Sequence, residues 1–210
     1  DDDIRVAILT GAGGTFCAGM DLKAFLTGET PTVEGRGFAG LTEKGPRKPL
    51  IAAVEGYALA GGLELAIACD LIVTADNAKF GIPETKRGLA AAAGGLMRLP
   101  RQIPQRIAME MALTGDFIDA ERAAAVGLVN EVVPAGTALE AAKGLAVRIV
   151  ANGPLAVAVS KQVIVESADW SADEMWQKQG ELVTPVFSSE DAIEGSAAFA
   201  EKRAPNWKGK

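Results

Sequence analysis

The chain has 210 residues, 49% of them hydrophobic and 23% charged, enough for one well-buried domain and an appended lobe. A net charge of −6 without a basic run argues against nucleic acid as a partner, and no apolar run approaches the roughly 20 residues that a membrane span requires. The absence of histidine removes Ser-His-Asp and Cys-His machinery and every histidine metal site, so proton transfer falls to carboxylates, Lys, Cys or the single Tyr.

Asp1-Asp2-Asp3 opens the chain without an initiator Met or a secretory segment, and an earlier N-terminal part reads as missing. Residues 4–10 read as a buried strand ending at the turn cluster Gly11-Ala12-Gly13-Gly14. A short helix is predicted over 19–27, then a Gly/Pro/Thr-rich loop over 28–48, long enough for a functional flap. Strand 50–54 follows, with a glycine turn at Gly56, a helix from Gly62 to Cys69, strand 70–75 and a short extended piece at 79–81. Strands alternating with helices predict an α/β core with parallel pairing. Beyond residue 100 the periodicity is helical over 104–113, 119–126, 137–151, 154–168, 171–186 and 189–203, interrupted by one strand at 128–132. The domain reading is therefore a core over 1–133 and a helical lobe over 134–210. Cys17 and Cys69 lie in apolar, small-residue stretches and read as buried thiols of a reducing compartment, hence a cytoplasmic protein.

Glu64 and Glu84 stand twenty residues apart, each just behind a stretch of chain built to expose backbone amides. Glu64 follows Ala60-Gly61-Gly62; Glu84 closes Phe80-Gly81-Ile82-Pro83-Glu84. A third small-residue turn, Phe16-Cys17-Ala18-Gly19-Met20-Asp21-Leu22, comes after the first strand. Two carboxylates and two amide-presenting turns equip a protein for acid–base chemistry on a carbonyl whose oxygen becomes negative. The competing reading is a pair of unrelated glutamates beside glycines that only ease packing. Their apolar neighbours Leu63, Leu65 and Pro83 argue against it.

Residues Ile51 to Leu71, with Ala60-Gly61-Gly62-Leu63-Glu64 at their centre, resemble the signature of the enoyl-CoA hydratase/isomerase (crotonase) family. The segments Phe16–Leu22 and Phe80–Glu84, and the ending Phe199–Lys208, are similar to three further family motifs, so the resemblance runs end to end. It implies a spiral of β-β-α turns with a helical C-terminal lobe that assembles homotrimers, commonly stacked as hexamers. It also implies an acyl-CoA substrate whose thioester oxygen receives the N–H groups of Ala18 and Gly61. By motif position Glu84 is the acid toward Cα and Glu64 the base that orients water, while Phe16, Ala18, Gly19, Met20 and Asp21 run along the coenzyme A. Lys202 matches a family lysine that reaches coenzyme A from the last helix; Arg47 and Lys48 are further candidate cations. No metal or separate cofactor is implied, coenzyme A being part of the substrate.

Having both glutamates favours water addition to a 2-enoyl-CoA, giving a 3-hydroxyacyl-CoA, as in fatty acid metabolism. Crotonobetainyl-CoA-type hydratases share the pattern, which leaves the acyl group open. The alternatives are double-bond isomerisation or other enolate chemistry on acyl-CoA, and a non-catalytic acyl-CoA-binding subunit. One departure stands out. Where typical hydratases carry Pro-Gly-x-Gly-Gly, this chain has Ala91-Ala92-Ala93-Gly94-Gly95, a change expected to reshape the water or acyl pocket. Trp170, Trp176 and Trp207 read as packing or subunit contacts.

Overall fold

The run Leu50–Val54 lacks polar alternation because both faces of the strand are covered: all five residues are buried in the computed structural model, which describes residue 1 and residues 3–210. In chain order the elements are β1 (Ala7–Thr10), α1 (Leu22–Leu26), β2 (Thr32–Val33), β3 (Gly37–Phe38), β4 (Leu50–Val54), β5 (Tyr57–Leu59), α2 (Gly61–Ala68), β6 (Leu71–Ala75) and β7 (Lys79–Gly81). A 3-10 turn at Pro83–Arg87 leads to α3 (Gly95–Gln102), α4 (Gln105–Thr114), β8 (Ile118–Asp119), α5 (Ala120–Ala125), β9 (Glu131–Val133) and α6 (Ala138–Val150). The chain ends with α7 (Pro154–Glu166), a 3-10 turn at Ser167–Asp169, α8 (Met175–Phe187) and α9 (Glu190–Glu201).

Two compact units result, one of residues 8–46 and 50–144, the other of residues 1–7, 47–49 and 145–210; the division runs through α6. In the larger unit successive turns of chain feed two sheets. One has the order β1-β4-β6-β9, with β4 parallel to β6 and β6 parallel to β9. The other has the order β5-β7-β8, with β5 parallel to β7, and Cys17 extends it through a parallel bridge to Ala58. Each circuit thus gives a strand to one sheet, then a short strand to the next, then a helix, as in the predicted β-β-α spiral. α2 lies in the core with every residue from Gly61 to Ile67 buried, which is why its sequence is apolar on every face except at Glu64.

Several boundaries differ from the sequence reading. Gly19 has a φ of 95°, outside the helical range, so α1 begins only after Asp21, whose carboxylate caps it by accepting from Lys23 N at 2.8 Å. The 28–48 loop contains the hairpin β2–β3, too short to leave a pattern. The strand expected over 128–132 moves to β9, because Leu128 N donates to Ala123 O and closes α5, while the Asn130 side chain accepts from Ile72 N. β5 is a three-residue strand that was not predicted. Neither was α3, whose interior Pro100 disguises it.

In the second unit α7 and α8 bury no residue fully, leaving theirs half-buried or exposed, despite their apolar composition. α9 ties down the C-terminal tail. The Asp191 carboxylate accepts from Lys208 N and Gly209 N, at 2.7 and 2.9 Å, and Glu194 pairs with Arg203 while accepting from Asn206 N. Arg203 holds the Glu194 carboxyl down at about 2. Trp207 packs its ring on Gly153 and Gly195 and donates Nε1–H to Ala151 O, a packing role as expected. Among the described residues no single helix is long and apolar enough to cross a membrane.

Candidate active site

The two amide-presenting turns lie against each other. Cys17 N donates to Tyr57 O and Leu59 N to Cys17 O, so residues 18–19 leave the sheet beside the end of β5. A Cβ on Gly19 would fall 2.8 Å from Ala60 Cβ and 3.1 Å from Gly61 N; one on Gly62 would fall 2.0 Å from Cys17 O. Only residues without a Cβ allow this approach. Ala60 turns the chain with a φ of 52°, and its N–H is anchored to Gly81 O at 2.8 Å. A non-glycine residue in that region stores local strain, a property concentrated at functional sites. Gly61 then opens α2, where N–H groups have no partner within the helix. Among the described residues no acceptor receives the N–H of either Ala18 or Gly61.

Glu64 lies in the first part of α2 and is only 3% exposed. Its Oε1 accepts two hydrogen bonds, from Ala93 N and Gly95 N, both at 2.8 Å. Burial pushes its carboxyl above the ordinary range. The bonds from Gly95 and Ala93 and the charge of Arg98 oppose the rise, while the nearby Glu84 adds to it. Glu84 occupies the 3-10 turn that Pro83 starts, and burial raises its carboxyl too, against the charge of Arg87. Its Oε2 is buried without a hydrogen-bond partner among the described residues. The charge on Glu84 thus makes Glu64 harder to ionise.

The sequence reading missed three residues. Phe38, buried in the 28–48 loop, lays its ring over Gly61, within 2.7 Å of where a Cβ would stand. Thr42, also buried, accepts from Phe38 N through Oγ1 at 2.9 Å. Arg98 on α3 donates to Thr42 O and, at 3.5 Å, to Ala93 O. Nothing in the sequence singles out Phe38 or Thr42 in so bland a loop. Arg98 carried a faint signal, as a charge four residues after Gly94 in an apolar stretch. The Ala91–Gly95 departure also takes on a definite place. Its changed positions are 91 and 92, whereas the amides that hold Glu64 belong to 93 and 95.

The remaining candidates are distributed as follows. Phe16 is buried, with N–H donated to Glu55 O, and Met20 packs half-buried on the core. Asp21 serves as the cap of α1. Lys202 stands in the second unit as the left-handed cap of α9, with a φ of 55°. Lys48, in that unit as well, donates to Asp1 O and accepts from Lys161 Nζ through its carbonyl. The structure therefore brings Ala18, Gly19, Gly61, Glu64 and Glu84 into one unit, and Lys202 and Lys48 into the other.

A two-sheet α/β spiral that carries a buried glutamate, a half-buried one with a buried oxygen, and two uncommitted amides has the framework of an acid–base enzyme. Comparison with known proteins agrees. The enoyl-CoA hydratase/isomerase family model matches residues 1–210. A carnitinyl-CoA dehydratase from Proteus mirabilis is 45% identical over 218 aligned positions, covering all of this chain and 84% of that protein. Crystal structures of an enoyl-CoA hydratase from Mycobacterium tuberculosis H37Rv (62% identity) and of enoyl-CoA hydratase EchA1 from Mycobacterium marinum (61%) each match with a TM-score of 0.98, covering all of this chain and 83% of theirs. The chain belongs to the enoyl-CoA hydratase/isomerase family and is a lyase of the hydratase/dehydratase kind.

Proposed function

We propose that this enzyme adds water reversibly across the double bond of a 2-enoyl-CoA to give a 3-hydroxyacyl-CoA, with Glu64 and Glu84 as the proton-transfer pair and Ala18 N–H and Gly61 N–H as the oxyanion donors. The observation that carries this reading is a pair of carboxyls, Glu64 and Glu84, both raised chiefly by burial, in the same unit as two N–H groups that no acceptor among the described residues occupies. The relatives' names, hydratase and dehydratase, describe one elementary reaction run in opposite directions.

In the hydration direction the thioester oxygen accepts from Ala18 N–H and Gly61 N–H, which draws electron density from Cβ. Water adds to Cβ as Glu64 takes its proton, and Glu84 delivers a proton to Cα, collapsing the enolate. Each glutamate changes protonation state once, the proton gained by Glu64 is exchanged with solvent and one is returned to Glu84 before the next turnover, and dehydration reverses both transfers. Oxyanion donors of this kind contribute on the order of 3 kcal/mol each to the transition state. Phe38 over Gly61 supports a role as a wall of the acyl site, and the Asp21-capped turn supports a place for Phe16, Gly19, Met20 and Asp21 beside coenzyme A. Lys202 is assigned a coenzyme A phosphate, by its motif position. The exposed apolar side chains of α7–α9 support assembly as a homotrimer or hexamer.

The test is loss of the conjugated-thioester absorbance of crotonyl-CoA, with carnitinyl-CoA dehydration as a second probe and Glu84→Gln as the control. Turnover of either probe that falls about 10²- to 10⁴-fold in the variant is expected, the range for a positioned acid or base. Unchanged turnover in the variant, or a shifted alkene without hydroxyl product, overturns the assignment.

A further inference from the structure

We propose that Arg98 is a positioning residue for Glu64: its guanidinium ties the loop that covers Gly61 to the turn whose amides hold the Glu64 carboxylate. The inference rests on the proposed role of Glu64 as base and names a residue outside the acid–base pair that sets how this base is presented.

The connection is continuous in the larger unit. The Phe38 ring covers Gly61, and Phe38 N donates to Thr42 Oγ1. Thr42 O accepts from Arg98 Nη2, and Ala93 O accepts from Arg98 Nη1. Ala93 N in turn donates to Glu64 Oε1. The guanidinium suits this task because its planar fork addresses two carbonyls at once with fixed geometry, which a lysine ammonium does not. Gly94 lets the fork reach back, since a Cβ there would fall 2.0 Å from Arg98 Nη1. Arg98 sits on α3, the helix that Gly95 begins, so the turn and its brace belong to one element. Both amides engage Oε1 and, among the described residues, no group donates to Oε2, which leaves that oxygen for the water of the proposed reaction.

The brace also carries charge. Glu84 from the 3-10 turn and Arg98 from α3 are the charged groups that act on Glu64, with opposite sign, and Arg87 acts on Glu84. Loss of the positive charge makes Glu64 harder to ionise. A base must be ionised to work, so the acid limb of the kcat–pH profile moves to higher pH.

Three variants test this on the full chain with crotonyl-CoA or carnitinyl-CoA, whichever turns over. Arg98→Met is expected to lower kcat about 100-fold, the cost of a misplacement near 1 Å, with little change in KM, and to move the acid limb upward. Arg98→Lys keeps the charge but not the fork, so it lowers kcat while leaving the limb near its wild-type position. Arg98→Met combined with Glu64→Gln is expected to be no slower than Glu64→Gln alone, because the brace acts only through Glu64. Melting temperatures identify any variant that fails to fold; Arg98→Gln then replaces Arg98→Met with the same expectation. A wild-type kcat and acid limb in folded Arg98→Met, or a double variant much slower than Glu64→Gln, overturns the positioning role while leaving the proposed chemistry intact. Wild-type turnover in Glu64→Gln overturns both.

Discussion

Glu84 Oε2 is buried with no partner among the described residues, and that arrangement has a cost that is visible in solution. Burial lifts the folded-state carboxyl above its ordinary value of 4.5. Below that ordinary value the group is protonated in folded and unfolded chains alike, and nothing is lost. As pH rises through the raised folded value the folded chain must ionise a carboxylate that the unfolded chain ionises in water, and stability falls. Glu84→Gln removes this loss. It is expected to melt above wild type at about pH 8 and to converge with it near about pH 4, where both side chains are neutral. The substitution expected to slow turnover so strongly should therefore stabilise the fold, which a purely structural glutamate would not do. Identical melting temperatures at both pH values would count against an uncompensated carboxylate.

At the scale of elements, the meeting of Cys17–Gly19 with Ala60–Gly62 is a contact between two backbones, so it tolerates no added volume. Gly62→Ala would set a Cβ 2.0 Å from Cys17 O, and a main-chain atom cannot swing aside as a side-chain end does. Forced overpacking of this kind costs about 1–3 kcal/mol. We expect Gly62→Ala to lower stability by that amount in denaturant titration and to depress kcat, as the turns bearing Ala18 and Gly61 part. This contact also shows what could be read in advance. β4 declared itself through an unbroken apolar run and α2 through an apolar run broken only by Glu64, and the paired turns through their small residues. β5 and the β2–β3 hairpin are too short to generate periodicity, and Pro100 hid α3. The partners of Glu64 were illegible for a different reason: Ala93 and Gly95 act through N–H groups that every residue except proline possesses. Phe38 and Thr42 were hidden likewise, because a loop acquires meaning only from what it folds over.

For the whole molecule, the second unit poses the question of what covers its apolar surface. Phe187 and Phe199 are 79% and 87% exposed, beside a groove also lined by Val186 and Trp207. Isolated apolar residues on a surface are ordinary, but α7 and α8 have no fully buried residue, only half-buried ones, despite their apolar composition. The proposed trimer or hexamer accounts for this. Light scattering should give a mass three or six times that of the chain, and Phe187→Glu should shift it toward the protomer. A monomeric wild-type mass would exclude that assembly.

The donors at Ala18, Gly61, Ala93 and Gly95 all belong to the main chain, and this bears on how the sequence can evolve. A side-chain hydrogen-bond donor disappears with one codon change; a peptide N–H survives any substitution that keeps the path of the chain and avoids proline. Positions such as Ala92 and Ala93 are therefore open to neutral drift, and to saturation libraries, without erasing a donor. Phe38, by contrast, is a single replaceable surface over Gly61; if it walls the acyl site as proposed, altered substrate choice can evolve there while the proposed donors beneath it are inherited unchanged.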